Sequence, residues 1–362
     1  MFRSRLKPMA QPHTVPFRNV IIGNAAPTEL CVAPVAPTLQ FLSVSMFVIR
    51  MIQAVVARFI ALLIPYVGLR AYFDLWQRAG FHITRSHYYE PIPDTRTLKA
   101  SLWTIPSDLP GIAINEPVQF QLLDVIRSNY AEEYDHFPTG DPSQPHIFSY
   151  ANRYFNCVDP EILYGLVRHY KPQRIIEVGS GHSTYVSAQA VVRNQQENPA
   201  DDCELVSIEP FPNETLRAGF PGLSRLMVEP VQNVPISEFE ALQEDDILFI
   251  DSSHVVRIGS DVQYEILEIV PRIRKGVLVH FHDIFLPSEY PQPWVMEQHR
   301  FWTEQYMLQA FLAFNDRFEI IWAGNYMHQK WPDRLMSAFA SYRRRQHDRT
   351  WVGPGSFWIR RT

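Results

Sequence analysis

From about Asp159 to the C-terminus, short apolar runs alternate with stretches of helical period, and this rhythm limits the possible folds more than any other feature. The runs are "RIIEV" (174–178), "ELVSI" (204–208), "RLMV" (225–228), "DILFI" (246–250), "GVLVHF" (276–281) and "FEIIWA" (318–323). Segments such as "STYVSAQAVVRNQ" and "VQYEILEIVPRIRK" fill the gaps with helix-like spacing. A strand wetted on one face should alternate apolar with polar residues, whereas these runs are near-continuous Ile, Leu and Val. They therefore read as strands buried on both faces, in a doubly wound, mostly parallel α/β sheet covered by helices. The last run, "SFWIRR" (356–361), has no helix after it and is expected to be an antiparallel final strand.

The rest of the chain is organised differently. Residues 1–45 are rich in proline, alanine and polar residues without period, and read as a disordered tail; Met46 and Met51 are alternative starts. No apolar signal core lies near Met1. Residues 46–155 are expected to hold an amphipathic helix and an N-terminal helical cap, and residues 156–362 the sheet domain. At about 100° per residue, Arg50, Gln53, Ala54, Ala57, Arg58 and Ala61 share one face of segment 47–64. Met51, Ile52, Val55, Val56, Phe59, Leu62 and Leu63 cover the other. Three occupants of that apolar face stay open: the chain's own domain or a homo-oligomer partner, a membrane surface, or a bilayer interior. The last carries a cost of about 2.5–3.5 kcal/mol for each buried arginine. "SHYYEPIP" (86–93) offers aromatic rings either for a wall above a site or for domain packing.

A net charge of −5 argues against a nucleic-acid partner, which would draw a basic surplus. Three widely spaced cysteines, Cys31, Cys157 and Cys203, suit neither a disulfide framework nor a cysteine zinc site, and are expected as reduced thiols in a cytoplasmic protein.

"IIEVGSGHST" sets Glu177, Gly179, Ser180 and Gly181 at a strand-to-helix turn. Glycine there permits positive φ and close approach of a ligand, and the helix start offers free N–H groups. The third glycine of the dinucleotide fingerprint is replaced by Thr184, which disfavours a pyrophosphate ligand and with it NAD. The following strand ends in Glu209, a carboxylate placed to accept both hydroxyls of a ribose. "EVGSG", the acid of "IEP" and "DILFIDSSH", in that order, resemble the class I (Rossmann-like) S-adenosylmethionine-dependent methyltransferases over roughly residues 155–325 and the final strand. The resemblance implies a Rossmann-like fold with S-adenosyl-L-methionine as cofactor. It places Gly179 and Gly181 at the methionine end and Glu209 on the ribose, with Gln232, just after the third strand, a candidate for the adenine side.

Asp251 and His254 follow the fourth run, and His282 and Asp283 the fifth, so a parallel sheet would bring all four to one rim beside the glycine loop. Carboxylates converging without Lys or Arg repel one another, and a divalent cation would relieve that. His280 is expected deeper in the sheet, with a structural role. Asp-x-x-His after the fourth strand also resembles the metal-dependent sugar O-methyltransferases of antibiotic pathways. That branch implies Mg²⁺ held by Asp251 and Asp283, with His254 as base; His282 stands where it usually has a carboxylate. Because Mg²⁺ prefers oxygen, His282 as a ligand admits Mn²⁺ or iron, while a place for His282 outside the ligands, or no metal, stays open. The reaction so implied is O-methylation of a small-molecule acceptor, a sugar or natural-product hydroxyl. Histidine suits the proton transfer, and the sulfonium needs only in-line alignment. Two rival readings are a non-methylating metal-dependent hydroxylase or hydrolase on the same fold, and a membrane-surface nucleoside-binding protein without turnover.

Overall fold

The computed structural model describes residues 38–64, 71–345, 347, 348 and 350–362. The chain divides between Arg85 and Ser86 into two compact units. The tail expected over residues 1–45 lies outside the described residues up to position 37. From there the first unit holds a helix, α1 (Thr38–Leu63), so eight residues assigned to the tail are helical. The side chains of α1 from Val48 to Leu63 are exposed on both its apolar and its arginine face. Among the described residues no helix is long and apolar enough to cross a membrane.

The second unit begins seventy residues before the expected domain boundary, and the reason lies in packing. Helix α2 (Glu116–Tyr134) lies against helix α3 (Asp159–Tyr170) and against the strand β6 (Phe318–Ala323). Buried Gln119 ties α2 to β6: its side-chain amide donates to the Ile114 carbonyl at 2.6 Å and accepts from the Ala323 N–H at 2.9 Å. What reads as a cap in sequence is therefore part of the layer that covers the sheet.

The sheet is seven-stranded: β1 (Arg174–Val178), β2 (Glu204–Ile208), β3 (Arg225–Met227), β4 (Ile247–Ile250), β5 (Leu278–Phe281), β6 and β7 (Phe357–Arg361). Their order is β3-β2-β1-β4-β5-β7-β6. All neighbours pair in parallel except β7, which is antiparallel to both β5 and β6, as its lack of a following helix leads one to expect. The continuous apolar runs are explained by parity. Ile175, Ile247 and Phe249 enter one core cluster, while Ile176, Leu248 and Ile250 enter the other, on the opposite face. Truncating a side chain such as Leu248 to alanine would cost about 2–5 kcal/mol on either side.

The segment 261–275 departs from a plain helix. One α-turn (Asp261–Tyr264) passes into a π-turn (Glu265–Ile269) and a 3₁₀ turn (Val270–Arg272). Pro271 lacks an N–H and its ring crowds the preceding turn, so regular α hydrogen bonding cannot run through it. The strand order changes direction between β1 and β4, and in open α/β sheets ligands bind beyond the carboxyl ends of the strands beside such a switch point.

Candidate active site

On the β1–β2 side the site is built from backbone. Gly179 has φ +78°, and a Cβ there would sit 1.8 Å from the Asp251 carbonyl oxygen, so the crossing of the β1 and β4 loops admits glycine alone. The Gly179 N–H continues the ladder to the Ile208 carbonyl at 3.0 Å, and the Asp251 N–H to that of Val178 at 2.9 Å. Both loops thus stay in sheet register one residue beyond the strands. Nothing lies within 4 Å of a Cβ built on Gly181, so this glycine faces open space at the start of helix α4 (His182–Glu197). Glu209 accepts from the Ser180 N–H at 3.2 Å and the Phe211 N–H at 2.8 Å, which aims its carboxylate across the loop. Glu177 is buried beneath, bonded to the Ser183 hydroxyl, with its other oxygen unpartnered. Burial pushes its carboxyl up to about 8, against the pull of the Ser183 and Thr184 hydroxyls and with the fields of Asp251 and Glu209. Gln232 sits farther along this edge, its amide donating to the Gly259 carbonyl at 3.1 Å.

On the β4–β5 side the site is built from charged side chains. His254 is buried, with φ +60°, an uncommon backbone state for a residue other than glycine. A clasp from the segment before and into helix α5 (Glu304–Leu312) holds it there. The N–H groups of Thr303 and Glu304 donate to the His254 carbonyl at 3.0 and 3.2 Å. The Glu304 carboxylate meets Nδ1 at 2.8 Å, and the Trp302 ring lies 4.3 Å from the imidazole, centre to centre. With Nδ1 so engaged, Nε2 points to Asp251 Oδ1 at 3.3 Å and Asp283 Oδ2 at 3.7 Å. Burial opposes a charge on this imidazole. Hydrogen bonds to Asp251 and Glu304, with the fields of Glu304 and Asp283, nonetheless raise its pKa well above 6.5.

His282 Nε2 lies 3.7 Å from Asp283 Oδ1, its Nδ1 has no partner, and burial is likewise overcome by Asp251, Asp283 and Asp159, which raise its pKa. Asp159, at the N-terminus of α3, accepts from the N–H groups of Gly355 and Ser356, both at 3.0 Å. Its burial raises the carboxyl to about 6 despite His282 and those donors. His280 is structural, as expected: fully buried, 3.0 Å from the Ser356 hydroxyl and stacked on Phe249.

The structure thus brings Asp251, His254, His282 and Asp283 to one rim, as the strand order implies, but the ligand set Asp251, His282 and Asp283 does not fit a cation. The nitrogen of His254 stands between the two carboxylates where an ion would be held. Among the described residues no group of three or more His, Cys, Asp or Glu side chains is spaced to hold one. Charge is balanced here by the histidines themselves, and no step is assigned to a metal.

These residues line a cavity of about 1190 Å³. Its upper wall is Tyr154, Trp294, Trp302 and Trp351, with arginines at Arg153, Arg300 and Arg345. Tyr88 and Tyr89 of "SHYYEPIP" are exposed and do not line it. Tyr154 stacks at 6.0 Å on His182, the first residue of α4, so the cavity borders the glycine loop. Glu304, Trp302 and Asp159 are site residues that the sequence does not reveal. The one available signal, an acid opening the apolar-periodic "EQYMLQAFL", is the ordinary mark of a helix start.

Residues 176–284 match the family model described as "Methyltransferase domain". An uncharacterized protein of Archaeoglobus fulgidus is 32% identical over 168 residues, which cover 44% of this chain and 74% of the archaeal protein. Among solved structures, an O-methyltransferase from Bacillus cereus in complex with SAH aligns over 72% of this chain and 94% of its own, at 13% identity and a TM-score of 0.33. A likeness that loose carries nothing about the site.

Proposed function

We propose, for a chain whose residues 176–284 match the methyltransferase domain model, that it transfers a methyl group from S-adenosylmethionine to a hydroxyl of a small molecule, with His254 as the base. The observation that carries this reading is one juxtaposition. A glycine crossing that a single methyl group would block lies beside a buried histidine, whose Nδ1 is held by Glu304 and whose Nε2 faces the cavity.

The residues of the glycine side fit the cofactor. Gly181 leaves room at the start of α4, where the helix N-terminus favours the carboxylate of the methionine moiety. Glu209 is oriented by two backbone N–H groups and keeps lone pairs free for the ribose hydroxyls. When bound, the sulfonium supplies an already activated methyl group.

The protein's own tasks are to orient the acceptor oxygen and remove its proton. His254 Nε2, which meets Asp251 and Asp283, is the nitrogen on the cavity side, and Glu304 on Nδ1 favours the charged ring that proton uptake creates. The carboxylates of Asp251 and Asp283 stabilise the same imidazolium. Because its pKa is raised, the ring must first give up its resting proton, so turnover should grow with pH through a limb above 6.5.

The test is calorimetry with S-adenosylmethionine. Binding to the wild type and a loss of about 1.5–3 kcal/mol in Glu209→Ala are expected, the worth of a hydrogen bond to a charged group. Unchanged affinity in a folded Glu209→Ala protein would remove that residue from the cofactor site, and no binding by the wild type would remove the reading.

A further inference from the structure

The cavity holds unspent donors at its mouth. Its floor carries Asp159, Asp251 and Asp283 with His254 and His282 among them, whereas Arg153, Arg300 and Arg345 stand on its walls. Arg345 is already paired with Asp348 at 2.8 Å. Arg153 and Arg300 have no carboxylate within ion-pair distance among the described residues.

Arg300 is exposed but is not a loose surface side chain. Its N–H bonds the Trp294 carbonyl at 2.9 Å, and its guanidinium lies over two indole faces, 4.7 Å from Trp294 and 5.1 Å from Trp302. Stacking on aromatic faces fixes the plane of a guanidinium and consumes none of its five N–H donors. Such an arginine is prepared for a planar or tetrahedral oxyanion, which it can bind with two parallel hydrogen bonds. Trp302 also packs on the imidazole of His254 at 4.3 Å, so one indole fixes the anion-binding group relative to the base.

We propose that Arg300, with Arg153, forms an oxyanion-recognition site at the cavity mouth, and that the acceptor is a hydroxyl compound bearing a phosphate or a carboxylate. This rests on the reading that the cavity receives the acceptor. An anionic end is held at the arginines of the mouth, because the carboxylates of the floor are already matched by His254 and His282, so the molecule enters with its neutral hydroxyl toward His254. The two rims together select orientation, and with it which hydroxyl is presented.

The test uses the full chain, with and without bound S-adenosylhomocysteine. Pyrophosphate represents the phosphate source, glucuronate the carboxylate source, and methyl glucoside a neutral control, each titrated by calorimetry. One of the two anions is expected to bind at one per chain, more weakly as salt rises, and the neutral sugar not to compete. Arg300→Met should weaken that anion about tenfold or more while S-adenosylhomocysteine affinity is retained, which also reports that the variant is folded. Arg300→Lys, which keeps the charge but loses the fork, should fall between. Binding of neither anion, or equal binding to wild type, Arg300→Met and Arg300→Lys, would overturn the proposal. Failure of the wild type to bind S-adenosylhomocysteine would instead count against the methyltransferase reading, and the anion titrations on the free protein would still decide this one.

Discussion

The two rims of the crevice solve different physical problems. After β1 and β2 the chain makes room: Gly179 passes under the Asp251 carbonyl, Gly181 leaves space, and Glu209 is aimed by backbone N–H groups. After β4 and β5 it gathers charge: two histidines and several carboxylates are packed where isolated charges would be costly, each compensated by another. A rim made of backbone geometry tolerates no added atom where its loops cross at Gly179. A rim made of coupled charges tolerates isosteric change and responds strongly to pH. Binding and chemistry should therefore fail separately.

The largest effect should come from closing the backbone rim. Gly179→Ala adds a methyl group at an occupied position and forces a side chain into φ +78°, for about 2–6 kcal/mol of lost stability when overpacking and strain are summed. A lowered melting temperature and no S-adenosylmethionine binding are expected. A stable variant that binds normally would break the contrast.

Next is His254→Ala, which removes the charge rim's reactive nitrogen and leaves the other rim untouched. Turnover should fall about 10²–10⁴-fold, with cofactor affinity nearly intact by calorimetry. Near-normal turnover with an unchanged acid limb would exclude His254 as the base.

Glu304→Gln is milder, because it keeps the shape and removes one negative charge. Turnover above the limb should fall about 10–100-fold, as for loss of a charge-assisted bond. Glu304 helps raise the His254 pKa, so its neutralisation should move the pH–rate limb to lower pH. A pure scaffold role would lower protein stability without moving that limb.

How much of this could be read from the chain follows the same division. The glycine rim was legible because strand, turn and helix are contiguous from Arg174 to Glu197, so that Gly179 acts through its own φ and Gly181 through the space it leaves. The gathering of Asp251, His254, His282 and Asp283 was also legible, since adjacent parallel strands end at one edge. What they do together was not. The sequence suggests a cation between the carboxylates, whereas His254 occupies that place because Glu304, fifty residues later in the chain, holds its far side. Trp302 and Arg300 come from the largely irregular stretch between β5 and α5, where no period marks a side chain's direction. The layer formed by α2 was likewise hidden, because a helix contacting β6 about two hundred residues later leaves no local sign.

One measurement bears on the whole account: production of S-adenosylhomocysteine from S-adenosylmethionine and a metabolite extract, by wild type and by His254→Ala, alongside cofactor binding to both. The account predicts that both proteins bind S-adenosylmethionine with similar affinity, and that only the wild type forms S-adenosylhomocysteine and a methylated acceptor at an appreciable rate. Equal product formation by the two proteins, or no cofactor bound by the wild type, would contradict it.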